Sequence, residues 1–235
     1  MIIEKNIESR NLAKQYKELL RNSYQTLNDK DKKLIRLAFD TAVDAHSNQR
    51  RKSGELYVFH PIEVAKIVSS QIGLDAVSIS AALLHDVIED TKYSLSKIKK
   101  LFGSKVSKIV EGLTKISNLK KDTNISLQAE NFRKMLLTLN DDIRVIIIKI
   151  ADRLHNMQTL DSMPEYKQIR TASETLYIYA PIAHRIGMYN IKTELEDLSL
   201  KYTDFKSFDY ISKKIDKSQV DQNIYISKFS NLINK

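Results

Sequence analysis

Apolar residues in this chain recur every three or four positions over long stretches, and very little interrupts them. Between Asp31 and His46, Leu34, Leu37, Ala38, Ala42 and Ala45 fall on one side of a helix that turns about 100° per residue. The segments 75–89, 143–160, 165–184 and 189–202 follow the same spacing, the last two separated at Gly187. Five Gly and three Pro in 235 residues cannot supply the turn that a β-sandwich needs every ~8–12 residues. The chain therefore reads as all-α. Strand alternation is suggested at most by Leu56–Phe59. Pro61 stands where a helix starts without needing a backbone donor, Ser94 and Ser104 are expected helix caps, and Gly73 and Gly103 expected stops. Residues 117–126 read as a Lys-rich loop, 127–139 as an amphipathic helix, and the last ~25 residues as a weaker pattern that frays or docks loosely.

Several classes fall away. With no Cys there is no disulfide framework, no Cys-ligated zinc and no Cys nucleophile. No apolar run reaches the ~18 residues of a membrane span, and the charged N-terminus lacks a signal-peptide centre, so a cytoplasmic protein is expected. The formal charge of +9 suits nucleic acid, anionic lipid or a phosphorylated small molecule, or a Lys-rich solvated surface. The 11 Tyr and 7 Phe form no stacking array, which argues against nucleic acid.

The informative positions are polar residues inside apolar helices. His85 and Asp86 end the apolar run Ala81–Leu84. On a continuous helix His85 would stack with Glu89 and Asp86 with Asp90. Asp152 interrupts the apolar 143–160 segment, with Asn156 and Thr159 pointing the same way. His60 precedes Pro61 at a helix start. Unpaired, such groups are costly to bury. Two imidazoles and two carboxylates form a ligand set that suits Mn, Fe, Co or Zn rather than Ca. Lys149 and Arg153 are the local cations and are expected in ion pairs; His155 is expected to hydrogen-bond behind the ligands, and His46 and His184 to pack or lie at the surface.

The combination is that of the HD metal-dependent phosphohydrolases. More specifically, the chain resembles the hydrolase domain of RelA/SpoT-type alarmone enzymes. The resemblance rests on RKSGELYVFHPIEVA (51–65), ALLHDVIEDT (82–91), AENFRKMLLTLNDDIRVIIIKIADRLHNMQTL (129–160) and YAPIAHRIGMYNIKTELEDLSLKY (179–202). It implies an HD-type helical fold of about ten helices around a single metal site, with residues 1–202 as the domain (core about 58–160) and 203–235 as an extension. It implies that His60, His85, Asp86 and Asp152 bind one divalent ion, usually Mn²⁺. Glu89 and Asp90 would orient or activate the attacking water and handle protons. Arg51, Lys52 and Ser53 would line the nucleotide pocket, and Asn156 and Thr159 would face the nucleoside. The implied reaction removes the 3′-pyrophosphate of guanosine 3′,5′-bis(diphosphate), giving GDP and pyrophosphate; the pentaphosphate gives GTP.

Departures from the family pattern are Ser47-Asn48, where a Gly is usual, Leu56 in place of a Pro, and Gln158 in place of a basic residue. The chain continues about 35 residues past the LEDLS segment, where long family members carry a synthetase domain, so no alarmone synthesis is expected. Two other readings are a phosphohydrolase of another 3′-phosphorylated or adenine nucleotide, and a non-catalytic module that senses the nucleotide or binds a partner. The expected partner is the guanine nucleotide itself, with neither nucleic acid nor membrane; homo-oligomerisation stays open.

Overall fold

The computed structural model describes residues 2–23, 25–119 and 142–233. Among them the chain divides into two compact units, Met1–Ser162 and Met163–Lys235. Several helix boundaries in the first unit have a local cause. Helix α1 is Ile2–Arg21, and α2 is Asp29–Ala45. Asn28 caps α2 by accepting from the Lys30 and Asp31 amides, while Asp31 reaches back to the Asn28 amide. Helix α3, Phe59–Lys66, runs on through a wide turn, Ile67–Ile72, and stops at Gly73, whose left-handed φ of 80° favours a residue without Cβ. Asp75 caps α4, Ala76–Leu83, through the Ser78 amide.

Helix α4 is the centre of this unit. Seven of its residues (Ala76 and Ser78 to Leu83) are buried, and α2, α3, α6 (Leu95–Leu119) and α7 (Ile143–Gln158) all pack on it. Such a helix must be apolar all round. Its small residues let neighbours approach, and the Ser80 hydroxyl satisfies itself on the Ala76 carbonyl at 2.7 Å. Ile35, Ala38, Ile62, Ile79, Leu83, Ile109, Leu113, Ile146 and Ile150 complete the core; each Ile or Leu so buried contributes about 1.5–3 kcal/mol.

The expected single helix over 75–89 is broken. Leu84 (φ −104°, ψ 5°) leaves helical geometry, Asp86 (φ −100°, ψ −5°) sits at the edge of the helical region, and a four-residue helix, α5 (Val87–Asp90), follows. Ser94 caps α6 through the Lys97 amide, and Gly103 (φ 78°, ψ −179°) kinks it. The suggested strand at 56–59 is reduced to one isolated bridge, Arg50 with Leu56, because Phe59 already begins α3. The Lys-rich loop is helical to Leu119; the remainder of it, and the helix expected over 127–139, lie outside the described residues.

In the second unit α8 (Glu165–Glu174) continues through a wide turn, Thr175–Tyr179, into α9 (Ala180–Arg185). Gly187 (φ 81°) turns the chain into α10 (Tyr189–Thr203). The C-terminal segment, expected to fray, is one helix, α11 (Phe205–Ile233). The expected division at 202/203 lies within the last turn of α10, which ends at Thr203; Asp204 separates it from α11. No helix among the described residues is long and apolar enough to cross a membrane.

Gly112 sets the approach of α6 to α7: a Cβ there would lie 2.8 Å from Val145 Cγ2. Gly112→Ala gains about 1 kcal/mol of helix propensity but overpacks a β-branched side chain at a cost of about 1–3 kcal/mol. Gly112→Leu adds bulk at the same cost or more. Chemical denaturation is expected to show the alanine variant slightly destabilised and the leucine variant clearly so.

Candidate metal centre

Three elements of the first unit converge. His60 enters from the first turn of α3, His85 and Asp86 from the break between α4 and α5, and Asp152 from the middle of α7. His60, His85 and Asp152 are buried, and their ligand atoms lie within 4.8 Å of one another. His60 Nε2 is 3.2 Å from Asp152 Oδ1, and His85 Nε2 is 3.9 Å from the same oxygen. Asp86 Oδ2 is 3.0 Å from His85 Nε2 and 3.8 Å from His60 Nε2. The break at 84–86 permits this. On a regular helix neighbouring side chains point about 100° apart; the tightened turn brings Asp86 back beside His85. The break interrupts the expected stacking of His85 on Glu89, while Asp86 and Asp90 share the turn that the Asp90 amide closes on the Asp86 carbonyl at 3.0 Å.

The protons in the cluster are constrained. His85 Nδ1 donates to the Ala82 carbonyl at 2.7 Å, because a carbonyl can only accept. In the neutral ring its Nε2 then presents a lone pair; this atom is buried without a hydrogen-bond partner and faces carboxylate oxygens. That arrangement is repulsive until a proton or a cation enters it. The charges show the same tension. Burial pushes the His85 imidazole down, but Asp86 and Asp152 together outweigh it and lift His85 to about 9. Burial likewise works against both carboxylates. His85 nevertheless holds Asp86 well below its usual range, and Lys149, His60 and His85 hold Asp152 there. Burial lowers His60 despite its carboxylate neighbours. Two imidazole nitrogens and carboxylate oxygens around a cation-seeking lone pair fit a divalent ion.

A second ring of contacts fixes these groups. His60 Nδ1 shares a proton with His155 Nδ1 across 2.7 Å. Burial, followed by the proximity of His60 and Arg51, depresses His155 to about 3, which keeps it neutral and able to accept. A proton on His60 Nδ1 leaves Nε2 as the lone pair that ligation requires. Lys149 Nζ lies 2.9 Å from Asp152 Oδ2 and 3.0 Å from Ser117 Oγ. Asn156 Nδ2 donates to Asp152 Oδ1 at 2.6 Å, and its Oδ1 accepts from Arg51 Nη2 at 3.1 Å. Tyr57 donates to Asp86 Oδ2 at 2.6 Å.

The residues expected from the sequence thus separate into groups. His60, His85, Asp86 and Asp152 come together. Asn156 joins Asp152, and Arg51 reaches it across 105 residues. Glu89 is partly buried, and burial raises its carboxyl against the pull of Ser117 and Lys149; its Oε1 is buried without a hydrogen-bond partner. Asp90, Lys52 and Ser53 are exposed, and the Ser53 hydroxyl turns to Glu55. Thr159 closes the end of α7 by donating to the His155 carbonyl at 2.9 Å. The expected ion pair of Lys149 and hydrogen bond of His155 are present. His46 is buried, and His184 is exposed against the Tyr189 ring. Sequence reasoning missed Tyr57, Gln49 and Ser117. Tyr57 lies in a segment readable as strand, and no spacing rule links it to Asp86, 29 residues on.

Tyr57→Phe keeps the ring and removes the hydroxyl that orients Asp86. Loss of such a partner behind a ligand lowers ion affinity by about 10–100-fold. Titration of divalent ions by calorimetry is expected to show a drop of that size with unchanged far-ultraviolet circular dichroism.

Comparison with known proteins places this geometry. A family model described as an HD domain matches residues 38–189. A GTP pyrophosphokinase of Myxococcus xanthus is 47% identical over 208 residues, which is 87% of this chain and 27% of the relative. The guanosine-3′,5′-bis(diphosphate) 3′-pyrophosphohydrolase of Haemophilus influenzae is 47% identical over 80% of this chain and 28% of its own length. The bifunctional (p)ppGpp synthase/hydrolase SpoT of Escherichia coli K12 is 49% identical over 78% of this chain and 26% of its own. The chain therefore spans about a quarter of the length of these relatives. A solved structure described as a metazoan ortholog of SpoT that hydrolyses ppGpp aligns with a TM-score of 0.57 and 28% identity, covering 74% of this chain and 96% of that one.

Proposed function

The chain belongs to the HD domain family, and from that premise we propose that it hydrolyses the 3′-pyrophosphate of guanosine 3′,5′-bis(diphosphate), releasing GDP and pyrophosphate. The observation that carries the reading is the buried cluster of His60, His85 and Asp152, with the unsatisfied His85 Nε2 beside Asp86. The names of the relatives support the substrate, since two of the three bacterial ones and the metazoan structure are described as acting on this nucleotide. The aligned stretch also contains the whole cluster.

His60, His85, Asp86 and Asp152 would hold one ion, for which we propose Mn²⁺. A divalent ion bound there supplies positive charge to the scissile phosphate and acidifies water. Hydrolysis breaks the bond between the 3′ oxygen and phosphorus and adds water across it. One proton must leave the water, and the 3′ oxygen must gain one. Glu89 is suited to receive the first. It follows Asp86 by one helical turn, and burial raises its carboxyl toward neutrality, where an acceptor is most effective. Asp90, at the exposed end of the same turn, is placed to exchange protons with solvent. Arg51 would give up Asn156 to the incoming nucleotide, and Lys52 and Ser53 extend the same cationic turn toward its phosphates. Lys149 acts elsewhere: it keeps Asp152 ionised.

Turnover of guanosine tetraphosphate should require the ion. Both GDP and pyrophosphate are expected with added Mn²⁺ and neither after chelation, and Asp86→Ala should abolish both. Survival of activity in Asp86→Ala would remove the assignment of the ligands. Turnover of an adenosine analogue in preference to the guanosine form would remove the substrate. The ion should also stabilise the fold, by about 2.7 kcal/mol at a hundredfold excess over Kd, because it binds only the folded chain; thermal melts with and without chelator read this.

A further inference from the structure

Residues 46–57 contribute no ligand to the cluster, yet this one loop ties down both ends of α5. The helix has four residues and no side-chain cap at its start. Its own amides give it little: those of Glu89 and Asp90 both return to the Asp86 carbonyl. A helix that short has no intrinsic stability in water; buried Val87, its amide on the Leu84 carbonyl and the Thr91 hydroxyl on the Val87 carbonyl anchor its body, and its ends, with the direction of Glu89, depend on contacts from elsewhere. At the N-terminal end the Tyr57 hydroxyl holds Asp86 Oδ2. At the C-terminal end Gln49 Nε2 donates to the Asp90 carbonyl at 2.7 Å, across 41 residues.

Gln49 is itself held at every hydrogen-bonding group. Its backbone N–H donates to the His46 carbonyl at 3.0 Å, and its carbonyl accepts from the Tyr57 amide at 2.9 Å. Its Oε1 lies 2.6 Å from His46 Nδ1. Because Nε2 must face the Asp90 carbonyl, Oε1 is the acceptor, and His46 Nδ1 carries the proton that fixes which way the amide points. The buried His46 ring rests on Tyr57 with centroids 4.8 Å apart, which joins the two tethers.

We propose that Gln49, oriented by His46, is a positioning residue: it caps α5 from outside and thereby sets the acidic pair Glu89-Asp90 against the ion ligands. The kinetic part of this inference rests on the hydrolase reading; the structural part does not.

Gln49→Glu isolates the tether. The carboxylate can still accept from His46 but sets an oxygen against the Asp90 carbonyl. In the Mn²⁺-loaded full chain, amide hydrogen exchange at Glu89 and Asp90 should speed up by about tenfold or more while α4 and α7 are unchanged. Because small displacements of a reacting group are expensive, kcat for guanosine tetraphosphate should fall by about tenfold or more, with KM and Mn²⁺ affinity within about twofold. Gln49→Leu, which removes the donor without adding charge, should do the same, so a folding defect peculiar to the charged variant is recognised. Unchanged kcat in both variants, or a loss that appears in KM or ion affinity instead, overturns the positioning role. If the wild type turns over no nucleotide, the hydrolase reading fails, and the exchange measurement alone decides the tether: unchanged exchange at Glu89 and Asp90 overturns it.

Discussion

Two ionised carboxylates face two imidazoles in the interior of the first unit, and much of that unit is arranged around their charge. Asp152 is buried and Asp86 nearly so, and burial favours the neutral acid for both. They remain ionised because His85, His60 and Lys149 surround them. A buried charge stripped of its partners is severely destabilising. The contacts behind the cluster are therefore fixed rather than adaptable: Lys149 on Asp152, Tyr57 on Asp86, His155 on His60, and the Ala82 carbonyl on His85. With the Nδ1 atoms of both imidazoles and Asp152 Oδ2 engaged on the outside, the two Nε2 atoms converge with Asp152 Oδ1 and Asp86 Oδ2, which is the requirement for holding a divalent ion.

The apolar core serves the same end. α4 is buried on all sides because it must deliver His85 into the middle of the unit, and its small residues let four neighbouring helices close on it. Gly112 brings α6 against α7, the helix that carries Asp152. The rigid part of the site thus stands on packed helices. The turn bearing Arg51, Lys52 and Ser53, which we propose meets the nucleotide, is largely exposed and tethered through a few side chains.

Much of this was legible in the residues. Helical periodicity gave the all-α fold, and the chemistry of His60, His85-Asp86 and Asp152 pointed to an ion because no other use of those groups in apolar helices is cheap. What periodicity could not give was the break at Leu84–Asp86. The apolar pattern runs through it without a Gly or Pro, so a continuous helix was the natural reading of 75–89. The tethers were equally hidden. Gln49 with Asp90, Tyr57 with Asp86 and Arg51 with Asn156 are separated by 41, 29 and 105 residues, and a side chain that meets its partner across such a span leaves no local spacing to read.

The sequence by itself determined that the chain is helical and which residue types could ligate an ion, since both follow from local spacing and from the cost of burying polar groups. The tertiary structure alone decided how those residues meet. It turned Asp86 back beside His85, left His85 Nε2 without a partner, parked Arg51 on Asn156 and strapped a four-residue helix at both ends. Those outcomes depend on which surfaces are pressed together by packing, and no stretch of chain carries that information on its own.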